Sequence, residues 1–519
     1  MRILGVHHGH DAGVALVDDG DVVAAANEER FSRKKLHRGV PERSLRWVLR
    51  EHGEDIDAIA VAGLYRRKKL ADALRELADR LEAPLIHVEH HEAHAASAYY
   101  TSGFDRCLTI TVDAAGDGLS ATVWVCEKGD MRRVATVSYR DSLGDFYANV
   151  TQMLGYQPMK DEGKTMCLAA YGRPDDDAME WLENEYIRVE KGTVVNESGL
   201  ISGEAVRFLR SSPLAELPRE DLAATAQRHL ERCLLDLFAH HIEAWNEKNV
   251  AYAGGVAANV VANMKLRERL NIDLFVHPNM GDGGLALGAA LRVWALHELA
   301  EGRTPSPPRM EHVYLGPSYD EDEVERILDD EGVEYEHVGD DPETVVEELL
   351  EGNVVAVFKG AMEYGPRALG HRSILADPRD EGIVDRLNEM LGRDPFQPFA
   401  PTVLMEDFPR YAENACESRF MTMAFRATEH FEEEAPAVVH VDGTTRPQTL
   451  VDEDPFYRRI VERFRDETGL GAVLNTSFNV HGEPIVMSPE DALRSFRKGV
   501  ADVLWVEGFI VRGPSSSTT

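Results

Sequence analysis

The chain has 519 residues, 43% of them hydrophobic, enough for two to four domains with substantial cores. Its formal net charge of −35 sets 91 Asp and Glu against 56 basic residues, only 12 of them lysine, which excludes broad binding to nucleic-acid phosphate. Such a surface suits a very salty cytoplasm, where screening relieves self-repulsion. No apolar run reaches about 18 residues, so no membrane span is expected, and the N-terminus MRILGVHHGHDAG lacks the pattern of a secretory signal. The cysteines, Cys107, Cys126, Cys167, Cys233 and Cys416, form no C-x-x-C pair. That argues for a reducing compartment and against a cysteine zinc site. The expectation is a cytoplasmic protein.

Residues 2–28 read as strand, Gly loop, strand, turn, strand: Ile3–Val6, Gly13–Val17 and Val22–Ala26, with Asp18–Asp21 as the hairpin turn. Residues 107–137 repeat the plan, with strands Cys107–Val112, Ser120–Val125 and Arg132–Val137. Each unit offers a polar, Gly-rich loop, and two such loops face to face would form a cleft. A basic cluster, Arg30 to Lys35, follows the first unit, and in a lysine-poor chain it suggests an anion contact. Helical patterns cover 41–53 and 68–82, with a strand at Ile56–Val61 between them.

The stretch from His90 to Gly118 carries the strongest chemical signal. His90 and His94 stand four apart, one turn of a helix, and so share a face. The strand after them ends in Asp113, then Gly116, Asp117 and Gly118. Two imidazoles and a carboxylate suit a borderline divalent metal, and the Gly-rich turn can bring backbone N–H groups to phosphate. A surface histidine pair is the plainer reading, but this pair leads directly into Asp–x–x–Gly–Asp–Gly. A zinc-protease helix is excluded because position 95 is Ala.

Further on, Lys164 sits in an otherwise apolar setting, and 173–220 reads as a polar insertion of little chemical content. Arg219–Trp245 has the pattern of a long amphipathic helix. Asn249–Ala253 is a strand followed by Gly254-Gly255 and a helix with Asn259 and Asn263, an arrangement that lets a base or ribose approach. Strand Leu274–Val276 leads to a third carboxylate in a Gly-rich loop, Asp282, a candidate fourth metal ligand. Gly302–Arg309, GRTPSPPR, reads as a linker. Beyond it come helices at Glu321–Asp330 and Pro342–Leu350, a strand at Val354–Phe358, and a loop holding Lys359, Arg367 and Arg372 that suits a small anion. The tail GPSSSTT reads as disordered.

Together HDAGVALV, EERFSRKK, HHEAHAASAYY, VDAAGDG, AGGVAANVVANMKL, GDGGLALGAAL, MEYGPRALGHRSILADPR, PFAPTVL and LNTSFNVHGEPIV resemble the O-carbamoyltransferases of the nodulation-protein and antibiotic-tailoring type. The resemblance runs through nearly the whole chain. It implies a mixed α/β fold: an actin/Hsp70-like duplicated domain over 1–301, a linker over 302–312, and a YrdC-like domain over 313–519. It also implies ATP-dependent O-carbamoyl transfer. Carbamoyl phosphate and ATP would give a carbamoyl-adenylate, and the carbamoyl group would pass to a hydroxyl of a small-molecule acceptor.

By the same resemblance His90, His94, Asp113 and Asp282 hold a divalent metal, Fe(II) in the family, and His10 acts as general base with Lys164 beside the transferred group. Gly116, Asp117, Gly118, Gly254, Gly255 and Asn259 serve the nucleotide. Arg33, Lys34, Arg367, Arg446 and Asn475 serve phosphate or carbamoyl phosphate. The chain departs from the family at Leu391, Gln397 and His481, where cations are usual. Two other readings stand beside this one: a different ATP-dependent acyl or phosphoryl transferase on the actin-like fold, and a non-catalytic nucleotide-binding partner protein. Homodimer formation stays open.

Overall fold

The computed structural model describes residues 1–64 and 68–513, so most of the GPSSSTT tail lies outside the described residues. The chain forms two compact units. The first gathers Met1–Glu28 and Leu36–Met310; the second gathers Glu29–Lys35 and Glu311 onward. The basic segment after the first hairpin therefore packs with the second unit. The Pro-rich stretch expected as a linker runs along the first: Gly129 meets Pro305, and the Met310 N–H donates to Thr101 O at 3.1 Å.

The first unit is a duplication. β1 (Arg2–His7), β2 (Gly13–Asp18), β3 (Asp21–Asn27), β4 (Ala58–Ala62) and β5 (Leu85–Val88) form a sheet in the order β3-β2-β1-β4-β5. β6 (Arg106–Gly116), β7 (Leu119–Glu127) and β8 (Asp130–Ser138) join β11 (Asn249–Ala253) and β12 (Asp273–Val276) in the order β12-β11-β6-β7-β8. In each sheet the first three strands are antiparallel neighbours and the last two run parallel to the first. This equivalence is the actin-like duplicated fold. The region read as a bare polar insertion is folded: it includes the hairpin β9 (Ile187–Glu190) and β10 (Thr193–Asn196) and a helix at Ser202–Leu209.

Strand composition explains the burial. Ile3, Leu4 and Val6 of β1 and Leu108 and Ile110 of β6 are solvent-free, as expected of strands covered on both faces. Two helices lie between the sheets' equivalent positions: His90–Ser102 is buried at all but Glu92, and Leu285–Ala300 is buried over Leu285–Ala295. They touch backbone to backbone: a Cβ on Gly288 would sit 1.9 Å from Ala93 O. Small residues at the crossing let them approach.

The second unit is built on an eight-stranded mixed sheet. Its strands are β13 (Glu336–His337), β14 (Val355–Phe358), β15 (Arg372–Ala376), β16 (Ala400–Leu404), β19 (Gln448–Leu450), β20 (Ala472–Ser477), β21 (Val503–Val506) and β22 (Phe509–Arg512). Their order is β13-β22-β21-β14-β15-β20-β16-β19, and β17 (Phe425–Arg426) and β18 (Thr444–Thr445) pair separately. Among the described residues no helix is long and apolar enough to cross a membrane.

Candidate metal and transfer site

Glu89 starts the His90–Ser102 helix by accepting the His91 N–H on its side chain. The helical spacing then presents His90 and His94 to the same side, with ring centroids 4.7 Å apart. Opposite them, the β6–β7 ladder loses register between Val112 and Gly116. This bulge carries Asp113 out of the sheet. Asp282 opens a 3₁₀ turn ahead of the Leu285–Ala300 helix. The ligand atoms of His90, His94, Asp113 and Asp282 all lie within 4.8 Å of one another. His90 Nε2 is 3.0 Å from Asp113 Oδ2 and 3.5 Å from Asp282 Oδ1; His94 Nε2 is 3.4 Å from each carboxylate.

The donor set fits a divalent cation. His94 has no exposed surface, and neither of its ring nitrogens has a hydrogen-bond partner among the described residues. Two buried carboxylates side by side need compensating charge. Burial disfavours the charged His94 ring, yet Asp113 and Asp282 outweigh it and push its pKa up to about 9. Burial also opposes charge on Asp113, but His90 and His94 hold it well below the usual carboxylate range; His90 and His94 do the same to Asp282. A field that draws protons onto imidazoles is one that a cation satisfies by replacing them.

The surroundings hold the four donors in place. Asp117 accepts N–H groups from His90 at 2.9 Å and Leu64 at 3.0 Å. Gly116 leaves room for the His90 ring, since a Cβ there would fall 2.0 Å from His90 Cδ2. Gly255 donates its N–H to Asp113 Oδ1 at 3.3 Å, and Gly254, at φ +103, passes so close to Val112 O that a Cβ would lie 2.2 Å away. Gly118, at φ +88, closes the turn in open space.

His10, from the equivalent loop of the first half, meets the cluster. Its Nε2 is 3.1 Å from Asp282 Oδ2, while its Nδ1 is held by Asp11 at 3.0 Å. Burial lowers its pKa, but Asp11 and Asp282 prevail and raise it to about 9. The sequence reading passed over two neighbours. His7 lies 3.9 Å from Asp282 and contacts His10 O at 3.0 Å; burial drives its pKa down to about 3. Asn27 donates to Asp11 O and Gly283 O and accepts from Asn279, tying the two loops together. The run His7-His8-Gly9-His10-Asp11 was the available signal.

Other expected residues make contacts of their own. Asn259 caps the Val260–Leu270 helix through the Ala262 N–H and exchanges hydrogen bonds with Gln227. Lys164 lies on the Glu162–Ala169 helix with its Nζ 5.6 Å from the Tyr156 ring. Lys34 is exposed in the segment that belongs to the second unit. There Arg33 donates to Pro484 O and Ile485 O at 2.6 and 2.7 Å and faces Asp491.

In the second unit the loop carrying Arg367 is fixed from several sides. The buried Glu363 carboxylate accepts N–H groups from Leu369, His371 and Arg372. Asn475 donates to Ala368 O, and Gln448 to Leu369 O. Arg372 is fully enclosed and donates to the carbonyls of Lys359, Gly360 and His371, so its guanidinium serves the loop itself. Arg446 lies between β18 and β19. Of the three departures, Leu391 is core, Gln397 is half-buried, and His481 is exposed near Gly392.

Two family models match the chain, Carbamoyltransferase N-terminus over residues 2–66 and 61–291 and Carbamoyltransferase C-terminus over 346–513. An uncharacterized protein of Methanocaldococcus jannaschii is 36% identical over 98% of this chain and 99% of its own length. Nodulation protein NolNO of Sinorhizobium fredii is 34% identical over 98% of this chain and 80% of its own. Among solved structures, HypF of T. kodakarensis is 16% identical with a TM-score of 0.39, over 57% of this chain and 48% of that one. The chain belongs to the carbamoyltransferase family, and the protein is a carbamoyltransferase.

Proposed function

We propose that this carbamoyltransferase draws on carbamoyl phosphate and ATP, and that the His10 cluster is where the carbamoyl group reaches a small-molecule hydroxyl. Carbamoyl phosphate loses inorganic phosphate to water. The resulting carbamate oxygen attacks the α-phosphorus of ATP, and pyrophosphate leaves. The acceptor oxygen then bonds to the carbamoyl carbon of the adenylate, AMP departs, and the hydroxyl proton is taken up. Arg367 and Arg446 bind the dianionic donor with forked guanidiniums on a fixed backbone. The nucleotide is assigned to the Gly254-Gly255 turn, which packs on Val112 and Asp113 at the edge of the cluster.

His10 takes the acceptor proton, with Asp11 setting the orientation of its ring. His90, His94, Asp113 and Asp282 hold a divalent cation, which supplies positive charge beside the oxygens of the transferred group. Of the two carboxylates that raise His10, Asp11 lies outside the cluster, while Asp282 is one such a charge would neutralise, which favours the neutral imidazole that accepts a proton. The observation that carries this reading is His10 at 3.1 Å from Asp282, on a cluster of two imidazoles and two buried carboxylates. Incubation with ATP and carbamoyl phosphate is expected to release pyrophosphate, and withholding carbamoyl phosphate to stop it. ADP in place of pyrophosphate would select a phosphoryl transferase instead.

A further inference from the structure

The first unit also has an opening lined by none of the residues of the transfer cluster. A cavity of about 250 Å³ is lined by Met153, Leu154, Leu217 and Leu222 together with Arg210 and Arg219. One water needs roughly 10–15 Å³ of such space, so the cavity admits more than a single water. The Arg219 guanidinium also stands 5.4 Å from the centre of the Tyr156 ring, and Lys164 Nζ stands 5.6 Å from the same ring. Arg219 therefore faces both the Tyr156 ring, which Lys164 also approaches, and the hollow that it shares with Arg210.

The partners of the two arginines are the second observation. Arg219 donates to Leu154 O at 3.2 Å, and among the described residues neither it nor Arg210 pairs with a carboxylate. Elsewhere in the first unit, Arg188 and Arg232 meet Glu190, Glu197 and Glu183. In a chain with 91 acidic residues, two uncompensated guanidiniums on one cavity attract an anion from solution. Their planar forks match a phosphate or carboxylate, and the four apolar side chains match a non-polar body attached to it.

Position separates this cavity from the chemistry. The Leu143–Met153 helix starts where Gly144 packs on Ala114, next to Asp113, and ends at the cavity. Its 11 residues, at about 1.5 Å each, span about 16 Å. We propose that the cavity is a binding site for an organic anion, a phosphate or carboxylate on an apolar body, distinct from the donor and transfer sites.

The test is calorimetric titration of the full chain, at fixed KCl, with phenyl phosphate and with inorganic phosphate. The expected result is saturable binding of phenyl phosphate, at least tenfold tighter than inorganic phosphate. Arg210→Ala, at an exposed position, is expected to weaken phenyl phosphate at least tenfold with metal content unchanged, and Arg210→Lys to restore part of the loss. Absence of saturable binding, or equal affinity in wild type, Arg210→Ala and Arg219→Ala, would overturn the assignment. Equal affinity for the two probes would overturn the role of the apolar lining. Carbamoyl-phosphate-dependent pyrophosphate release is read separately, so its failure and the failure of this site remain distinguishable.

Discussion

Gly116→Ala should disable the cluster without removing any of its donors. The added Cβ would lie 2.0 Å from His90 Cδ2, 2.2 Å from Cγ and 2.4 Å from Nε2. Carbon atoms in contact prefer about 3.5–4.0 Å, so the ring or the bulge must move by about 1.5 Å. Metal sites tolerate roughly ±0.2 Å in ligand distance, and His90 would leave the set. Overpacking of this kind costs about 1–3 kcal/mol, a cost the unit can absorb. Loss of an aligned ligand should weaken divalent-metal binding by at least the roughly 10–100-fold seen when supporting partners are removed.

Gly118→Ala is the internal control. It sits two residues along the same loop at φ +88, with nothing within 4 Å of the added Cβ. It should cost about 1 kcal/mol in backbone strain and leave metal affinity unchanged. Competitive metal titration with parallel thermal melts reads both effects. Equal metal affinity in Gly116→Ala and wild type would refute the assignment of His90 as a ligand.

His94→Ala should lower metal content severely, because it removes a fully buried donor facing both carboxylates; full occupancy by elemental analysis would count against the site. The thermal midpoint should rise from dilute buffer to molar KCl, since −35 charges repel one another when unscreened; an unchanged midpoint would reject the high-salt reading. In the second unit burial raises the Asp454 pKa, but His371, 3.2 Å away, and the Tyr457 N–H bring it below the usual value. A depressed carboxylate contributes stability that is present above its unfolded value of about 3.9 and fades as pH falls through the folded value. Asp454→Asn should therefore flatten the acid limb of stability against pH in melts from pH 7 to 3, and an identical slope would contradict this.

Much of the site was legible because its signals are local. A helical i,i+4 spacing places His90 and His94, and a β-branched run ending in Asp113 marks a strand's exit. The Arg219–Trp245 helix and the Asn249–Ala253 strand follow directly from periodicity. What stayed hidden depends on long-range contacts. Nothing near Arg33 announces that it will bond Pro484 and Ile485 and draw Glu29–Lys35 into the second unit. The order of the eight-stranded sheet mixes parallel and antiparallel neighbours from distant segments, which periodicity does not encode. Asn259 shows the limit of motif reading: an Asn ahead of a helix is as apt for a cap as for a ligand, and here its side chain caps.

Pyrophosphate release, compared in wild type, Arg367→Ala and His10→Ala without an acceptor, tests the division of labour most directly. Wild type and His10→Ala are expected to release pyrophosphate from ATP only when carbamoyl phosphate is present. Arg367→Ala, with its metal content intact, is expected to release none. Undiminished carbamoyl-phosphate-dependent release in Arg367→Ala would contradict the account and show that the donor is not held by that loop.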